Sequence, residues 1–174
     1  MFLAAATLVA LVAYDLSRYE SLPANKPLLT LSFHRTANVY QVDILQGGAQ
    51  RSVNLEGDLW QLDVRLLQWK GLAALIGLEP GYRLEKLNSR FLSIEQQSQA
   101  RYTQAELTHS LYGVDLWRWL RLGQHDLFMF DAQARRVTYL PMADKVVFNV
   151  SLTPTGLLAE PMNEAAHQAL KDWQ

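Results

Sequence analysis

The first fourteen residues, MFLAAATLVALVAY, carry no charged side chain. A run of this kind leaves water in one of three ways: as a membrane helix, as an export signal, or as a helix inside a core. An α-helix rises about 1.5 Å per residue, so fourteen residues reach only about 21 Å against a hydrocarbon core of about 30 Å. Continued through Asp15 and Leu16 to Leu22, the helix is long enough to span. Asp15, Arg18 and Glu20 would then lie at the interface, with Tyr14 and Tyr19 in the aromatic belt. The apolar regions of signal peptides run about 7–15 residues, which this stretch also fits. Against cleavage, no Lys or Arg precedes the run, and Leu11-Val12-Ala13 places no good small-x-small pair near its end. The expectation is an uncleaved transmembrane anchor over residues 1–22, with a cleaved signal and a buried core helix as the alternatives.

Beyond Pro27 the pattern changes to period two, the mark of strands whose successive side chains point to opposite faces. Leu29, Leu31 and Phe33 alternate with Thr30, Ser32 and His34; Tyr40, Val42 and Ile44 alternate with Gln41 and Asp43. QGGAQ (46–50) is a glycine turn leading to a strand through Val53 and Leu55. In WQLDVRL, the residues Trp60, Leu62, Val64 and Leu66 should pack while Gln61, Asp63 and Arg65 face water. Further strands are expected over Tyr82–Leu87 and Phe91–Glu95, around a turn at Asn88-Ser89. LFMF (127–130), RVTYL (136–140) and KVVFNVSL (145–152) continue the series, and TPTG (153–156) is a hairpin signal leading to LLAEP.

Two stretches have helical spacing. Trp69, Leu72, Ala73 and Ile76 fall at i, i+3, i+4 and i+7, with Leu75 and Leu78 widening the apolar surface around most of the circumference. DLWRWLRLG (115–123) has Asp115 as N-cap and Gly123 as stop, and its Trp117 and Trp119, with Arg118 and Arg121 on one face, have the composition of interfacial anchors and also that of ordinary helices packed across a sheet, the favoured of the two readings. Trp69, Leu72, Leu75, Ile76, Trp117 and Trp119 are therefore the candidate membrane or partner contacts. Residues 96–110 read as a polar loop or solvent-facing helix, and a last helix runs from Pro161 to Trp173. The fold class expected is mainly β with minor α: a transmembrane helix over 1–22, then an antiparallel barrel or sandwich over 27–174 with two or three short helices.

Composition excludes several functions. Sixteen basic against seventeen acidic residues, with a single adjacent basic pair at Arg135-Arg136, leave no electrostatic footprint for nucleic acid. The absence of cysteine removes disulfides, thiol catalysis and cysteine-ligated metals. The four histidines, at 34, 109, 125 and 167, are dispersed, and Glu164 and His167 form a Glu-x-x-His step that occurs once where a di-metal carboxylate site needs two. Phosphate loops, nucleophile elbows and dinucleotide fingerprints are missing. No cofactor, no metal and no enzymatic activity are expected. Two alternatives stay open: a small-ligand module whose closed barrel is lined by some of the five tryptophans, and a hydrolase using Glu56, Asp58 and Asp63.

GDLWQLDVRLLQWKGLAALIGLEPGYRLEKLNSRFLSIEQ, followed by TYLPMAD and GLLAEPMNEAA, resembles a family of short, uncharacterised proteobacterial single-pass membrane proteins often labelled cation or multidrug efflux pump, or multidrug transporter. The most distinctive matches are Trp60-Gln61-Leu62-Asp63, Trp69-Lys70-Gly71 and Tyr139-Leu140-Pro141. The resemblance implies an inner-membrane anchor with the main domain in the periplasm, although Arg18 and Lys26, which follow the apolar run, would by count alone leave it in the cytoplasm. Transport by this chain is not expected, because known secondary transporters bind substrate between several helices near the bilayer midplane. The partners implied are the lipid bilayer and another envelope membrane protein, in a structural, interaction or efflux-accessory role.

Overall fold

A computed structural model describes residues 2–23, 26–70, 75, 77, 79–108, 115, 117–118 and 130–173. The chain opens with helix α1 (Phe2–Leu16), followed by strands β1 (Glu20–Ser21), β2 (Leu29–Thr36), β3 (Val39–Gln46), β4 (Ala49–Leu55), β5 (Leu59–Trp69) and β6 (Gly81–Arg90). Helix α2 (Ile94–Gln99) and strands β7 (Gln104–Glu106), β8 (Phe130–Arg136), β9 (Leu140–Pro141), β10 (Val147–Thr153) and β11 (Gly156–Pro161) come next, and helix α3 (Glu164–Trp173) closes the series. One sheet has the order β1-β6-β5-β8, with β7 on β6 and β9 on β5; the other has the order β11-β10-β2-β3-β4. The protein is mainly β, and the registers given by β-strand pairing are antiparallel. Both sheets are open, so the described strands form no closed barrel, and the barrel expectation and the ligand-filled closed barrel with it are corrected.

The described residues group into two compact units, the first made of 1–22, 64–85 and 108–134 and the second of 23–63, 86–107 and 135–174. The second unit shows how period two becomes a core. Leu31, Phe33, Val42, Ile44, Phe148 and Val150 are fully buried on one face of the β11-β10-β2-β3-β4 sheet. Trp60 of β5 meets that face, its ring centroid 5.7 Å from Phe33 and 5.5 Å from Phe148. Such aromatic contacts add about 0.5–1.5 kcal/mol to the burial of the rings themselves. The TPTG turn joins β10 to β11 as its residues imply, with Thr153 opposite Gly156. Helix α3 begins later than expected: Pro161 ends β11, and Asn163 is the cap, its Oδ1 accepting the Ala166 N–H at 3.0 Å.

Several other expectations are corrected. The first helix ends at Leu16 rather than Leu22, and Glu20–Ser21 form a strand paired with β6. No helix among the described residues is long and apolar enough to cross a membrane. Trp69, the first residue of the expected helical spacing, is the last residue of β5, in which Leu66 and Leu67 are both buried, as a strand covered on both faces loses its alternation. Asn88-Ser89 makes no turn. β6 runs through both residues because the Asn88 amide donates to Asp63 and the Ser89 hydroxyl to the Glu56 carbonyl. The strand expected at Phe91–Glu95 gives way to α2, and that at 136–140 to the end of β8 and the short β9.

Candidate functional site

Helix α1 is apolar around its whole circumference and exposed along most of its length. Residues 3–10 are all exposed, with Leu3 at 86%, Leu8 at 59% and Val9 at 68%. A helix that is hydrophobic all round is normally surrounded by apolar matter. Among the described residues nothing encloses residues 3–10, which runs against the core-helix alternative.

At the last turn of α1 the environment inverts. Asp15 is buried at 3% exposure and accepts a 2.8 Å hydrogen bond from Nη1 of Arg83 on β6, itself 5% exposed. This replaces the interfacial position expected for Asp15 from the charge pattern. Burying a carboxylate costs several kcal/mol, which only a well-placed counter-charge offsets. The Arg83 guanidinium carbon also lies 5.5 Å from the centre of the Tyr19 ring. Tyr19 is held there by its short link from α1 and by Gly81, where a Cβ would stand 2.9 Å from the Tyr19 Cβ. Burial pushes the Tyr19 hydroxyl well above the ordinary tyrosine range, against the opposing pull of Arg83. The Tyr19 hydroxyl and the Arg83 Nε are buried without a hydrogen-bond partner among the described residues.

A second arginine in the same unit repeats the arrangement. Arg65 on β5 donates through Nη2 to Glu85 at 2.9 Å and through Nη1 to Asp115, while its guanidinium lies 4.6 Å from the centre of the Trp117 ring. Burial alone would lower the Arg65 pKa, but the two carboxylates outweigh it and hold the charge. Burial would likewise raise Asp115, yet the hydrogen bonds from Arg65 and from the Arg118 N–H hold it below the usual carboxylate range. The Arg118 N–H reaches Asp115 Oδ1 at 2.9 Å, a bond of the kind an N-cap makes, while most of the helix expected over 115–123 lies outside the described residues.

In the second unit, the supposedly wet face of β5 is covered. Asp63 is 5% exposed; its Oδ1 accepts from Arg136 Nε at 2.6 Å and Gln61 Nε2 at 3.1 Å, and its Oδ2 from Asn88 Nδ2 at 3.1 Å. Lys86 stands 3.9 Å from the same carboxylate. The expected solvent exposure of Gln61 and Asp63 is therefore corrected: burial is tolerated because every carboxylate oxygen is satisfied. Of the carboxylates considered for hydrolysis, Glu56 and Asp58 line one cleft and Asp63 belongs to this separate cluster.

That cleft, of about 360 Å³, lies between the β2–β3 hairpin, the link from β4 to β5, and α2. Asp58 Oδ2 accepts the Leu92 N–H and Glu56 Oε2 the Arg101 N–H, each at 2.9 Å, so these acids hold the segment around α2 in place. His34 is exposed and stands 3.7 Å from Asp43. Among the described residues no three histidines or carboxylates are grouped as a metal site.

Of the six contact candidates, Trp69 lies half-buried at the end of β5 and Leu75 is 80% exposed. Trp117 is buried and donates its ring N–H to the Leu66 carbonyl at 3.3 Å. Leu72, Ile76 and Trp119 lie outside the described residues, as do Gly123 and most of LFMF. Contact reasoning missed Arg83. The signal was available: an arginine inside an apolar strand, Tyr82-Arg83-Leu84, implies a buried partner, and Asp15 is a lone charge at the end of an apolar run. No family model matches the chain, and neither a curated protein nor a solved structure is similar to it.

Proposed function

We propose that α1 lies in the hydrocarbon of a lipid bilayer and holds the β-rich body at the membrane, as an envelope protein with a structural or interaction role. The observation that supports this is the exposure of residues 3–10 of α1, none of them charged, on all sides of the helix. A protein partner covers one stripe of a helix, whereas lipid covers the whole circumference. The buried Asp15–Arg83 pair suits the same reading, since it keeps the first charge after the apolar run compensated where the helix meets the sheet. Residence in the inner membrane with the body on the periplasmic side follows from the family resemblance, and an accessory role beside an efflux pump is one form the interaction would take.

Seven residues of α1 are Phe, Leu or Val. At about −0.3 to −0.6 kcal/mol each they favour insertion by about 2–4 kcal/mol. Val9→Lys near the middle of the helix costs about 3–4 kcal/mol on the same scale, enough to cancel that preference. The test is fractionation of the full chain with and without detergent, with protease accessibility from each side. Native protein should sediment with membranes and the Val9→Lys variant should shift to the soluble fraction. Native protein that stays soluble, or a variant that remains membrane-bound like the native chain, would refute the proposal.

A further inference from the structure

The cleft in the second unit carries unused hydrogen-bonding capacity of one particular kind. The side-chain amides of Asn38, Gln96 and Gln99 line it and have no hydrogen-bond partner among the described residues. Each of the two carboxylates in its wall spends one oxygen on a backbone N–H, Asp58 on Leu92 and Glu56 on Arg101, which leaves the other oxygen of each available. Three amides and two carboxylate oxygens thus line a space at the lower end of the ligand-pocket range of about 300–1,000 Å³.

Charge and hydrogen-bonding capacity set the chemistry of the occupant. Two carboxylates outnumber the single guanidinium of Arg35, whose Nε already donates to the Ala37 carbonyl at 3.2 Å and whose charge lies 5.8 Å from the centre of the Tyr40 ring. A phosphate or carboxylate ligand would meet net repulsion there. An apolar ligand would strip water from five polar groups and return nothing. A metal ion lacks a third acidic or imidazole ligand among the described residues. What fits is a neutral molecule whose groups both donate and accept, because a hydroxyl can give its proton to a carboxylate while accepting from an amide. Phe91, half-buried in the wall, offers a strip of apolar surface for a face of C–H groups.

We propose that this cleft is a saccharide-binding site, with Asn38, Gln96, Gln99, Glu56 and Asp58 reading the hydroxyls of a pyranose and Phe91 packing against its ring. The inference stands on the second unit alone and holds whether or not α1 resides in lipid. The ligand chemistry has two sources, a free sugar and the glycan strand of a cell wall, and two arms of one experiment separate them.

The full chain, in a detergent whose headgroup carries no sugar, is tested by saturation-transfer NMR with cellobiose and with the β-1,4-linked disaccharide of N-acetylglucosamine, and by co-sedimentation with purified peptidoglycan. Saturation transfer to a disaccharide without co-sedimentation assigns a free sugar; co-sedimentation assigns wall glycan. Asn38→Ala and the Gln96→Ala/Gln99→Ala pair remove exposed side chains, so circular dichroism should stay native while binding weakens about three- to ten-fold per lost hydrogen-bond set. No binding of the native chain to either disaccharide or to peptidoglycan, binding that the variants leave unchanged, or displacement of the sugar by inorganic phosphate would each overturn the proposal.

Discussion

Replacing Arg83 with methionine should be among the most damaging single changes in the first unit. The substitution keeps the length of the side chain but strands the Asp15 carboxylate, which is 3% exposed, without the guanidinium that donates to it at 2.8 Å. Breaking a buried pair from one side costs about 3–5 kcal/mol, and the lost contact with the Tyr19 ring adds about 1 kcal/mol. With a urea slope of about 2 kcal/mol per M, the unfolding midpoint should fall by about 2–3 M. Asp15→Leu alone should cost a comparable amount. The double variant should recover much of the loss, because two apolar side chains bury well where one unpaired charge does not. The assay is a double-mutant cycle by equilibrium unfolding, with amide hydrogen exchange along β1 and the first half of β6 reporting the local opening. A loss below about 1 kcal/mol, as for an exposed pair, would refute the reasoning. So would a double variant whose cost is the sum of the singles.

Two further outcomes are expected. The Asp115 carboxyl is held below its ordinary value of 3.8, so its contribution is complete above that pH and disappears as pH falls through its lower folded value. The difference in unfolding midpoint between the native chain and Asp115→Asn should accordingly be constant from neutral pH down to about 5 and vanish in stronger acid. Gly81→Ala would put a Cβ 2.9 Å from that of Tyr19 and should destabilise the first unit by about 1–3 kcal/mol, measured by the same unfolding assay, with β1 amides losing protection first.

How legible the fold was depended on how local its causes were. β2, β3 and β10 could be read directly, because in each an alternation is set against one buried face, and the TPTG turn marked where β11 begins. β5 could not. Its Gln61 and Asp63 look solvent-facing by residue type, and they are buried because Arg136, 73 residues from Asp63, reaches the carboxylate. Asn88-Ser89 failed for a related reason: two turn-forming side chains are engaged by distant groups, which leaves their backbone free to continue the strand. The end of α1 belongs in part to the same class, since besides the local bonds of Ser17 to Ala13 and Tyr14 it is held by an arginine 68 residues away. The cleft was legible only in its acids; the amides that give it its character sit on a hairpin turn and on α2, where exposed polar residues carry no distinguishing pattern.

Between Leu16 and the first residue of β1 there are only residues 17–19, and within the preceding turn Asp15 is already bolted to β6. That leaves no slack. A pull, tilt or rotation applied to the greasy helix is delivered straight into the strand beside it and is not absorbed by a leash. The first unit therefore has the mechanics of a bracket fixed to its mounting.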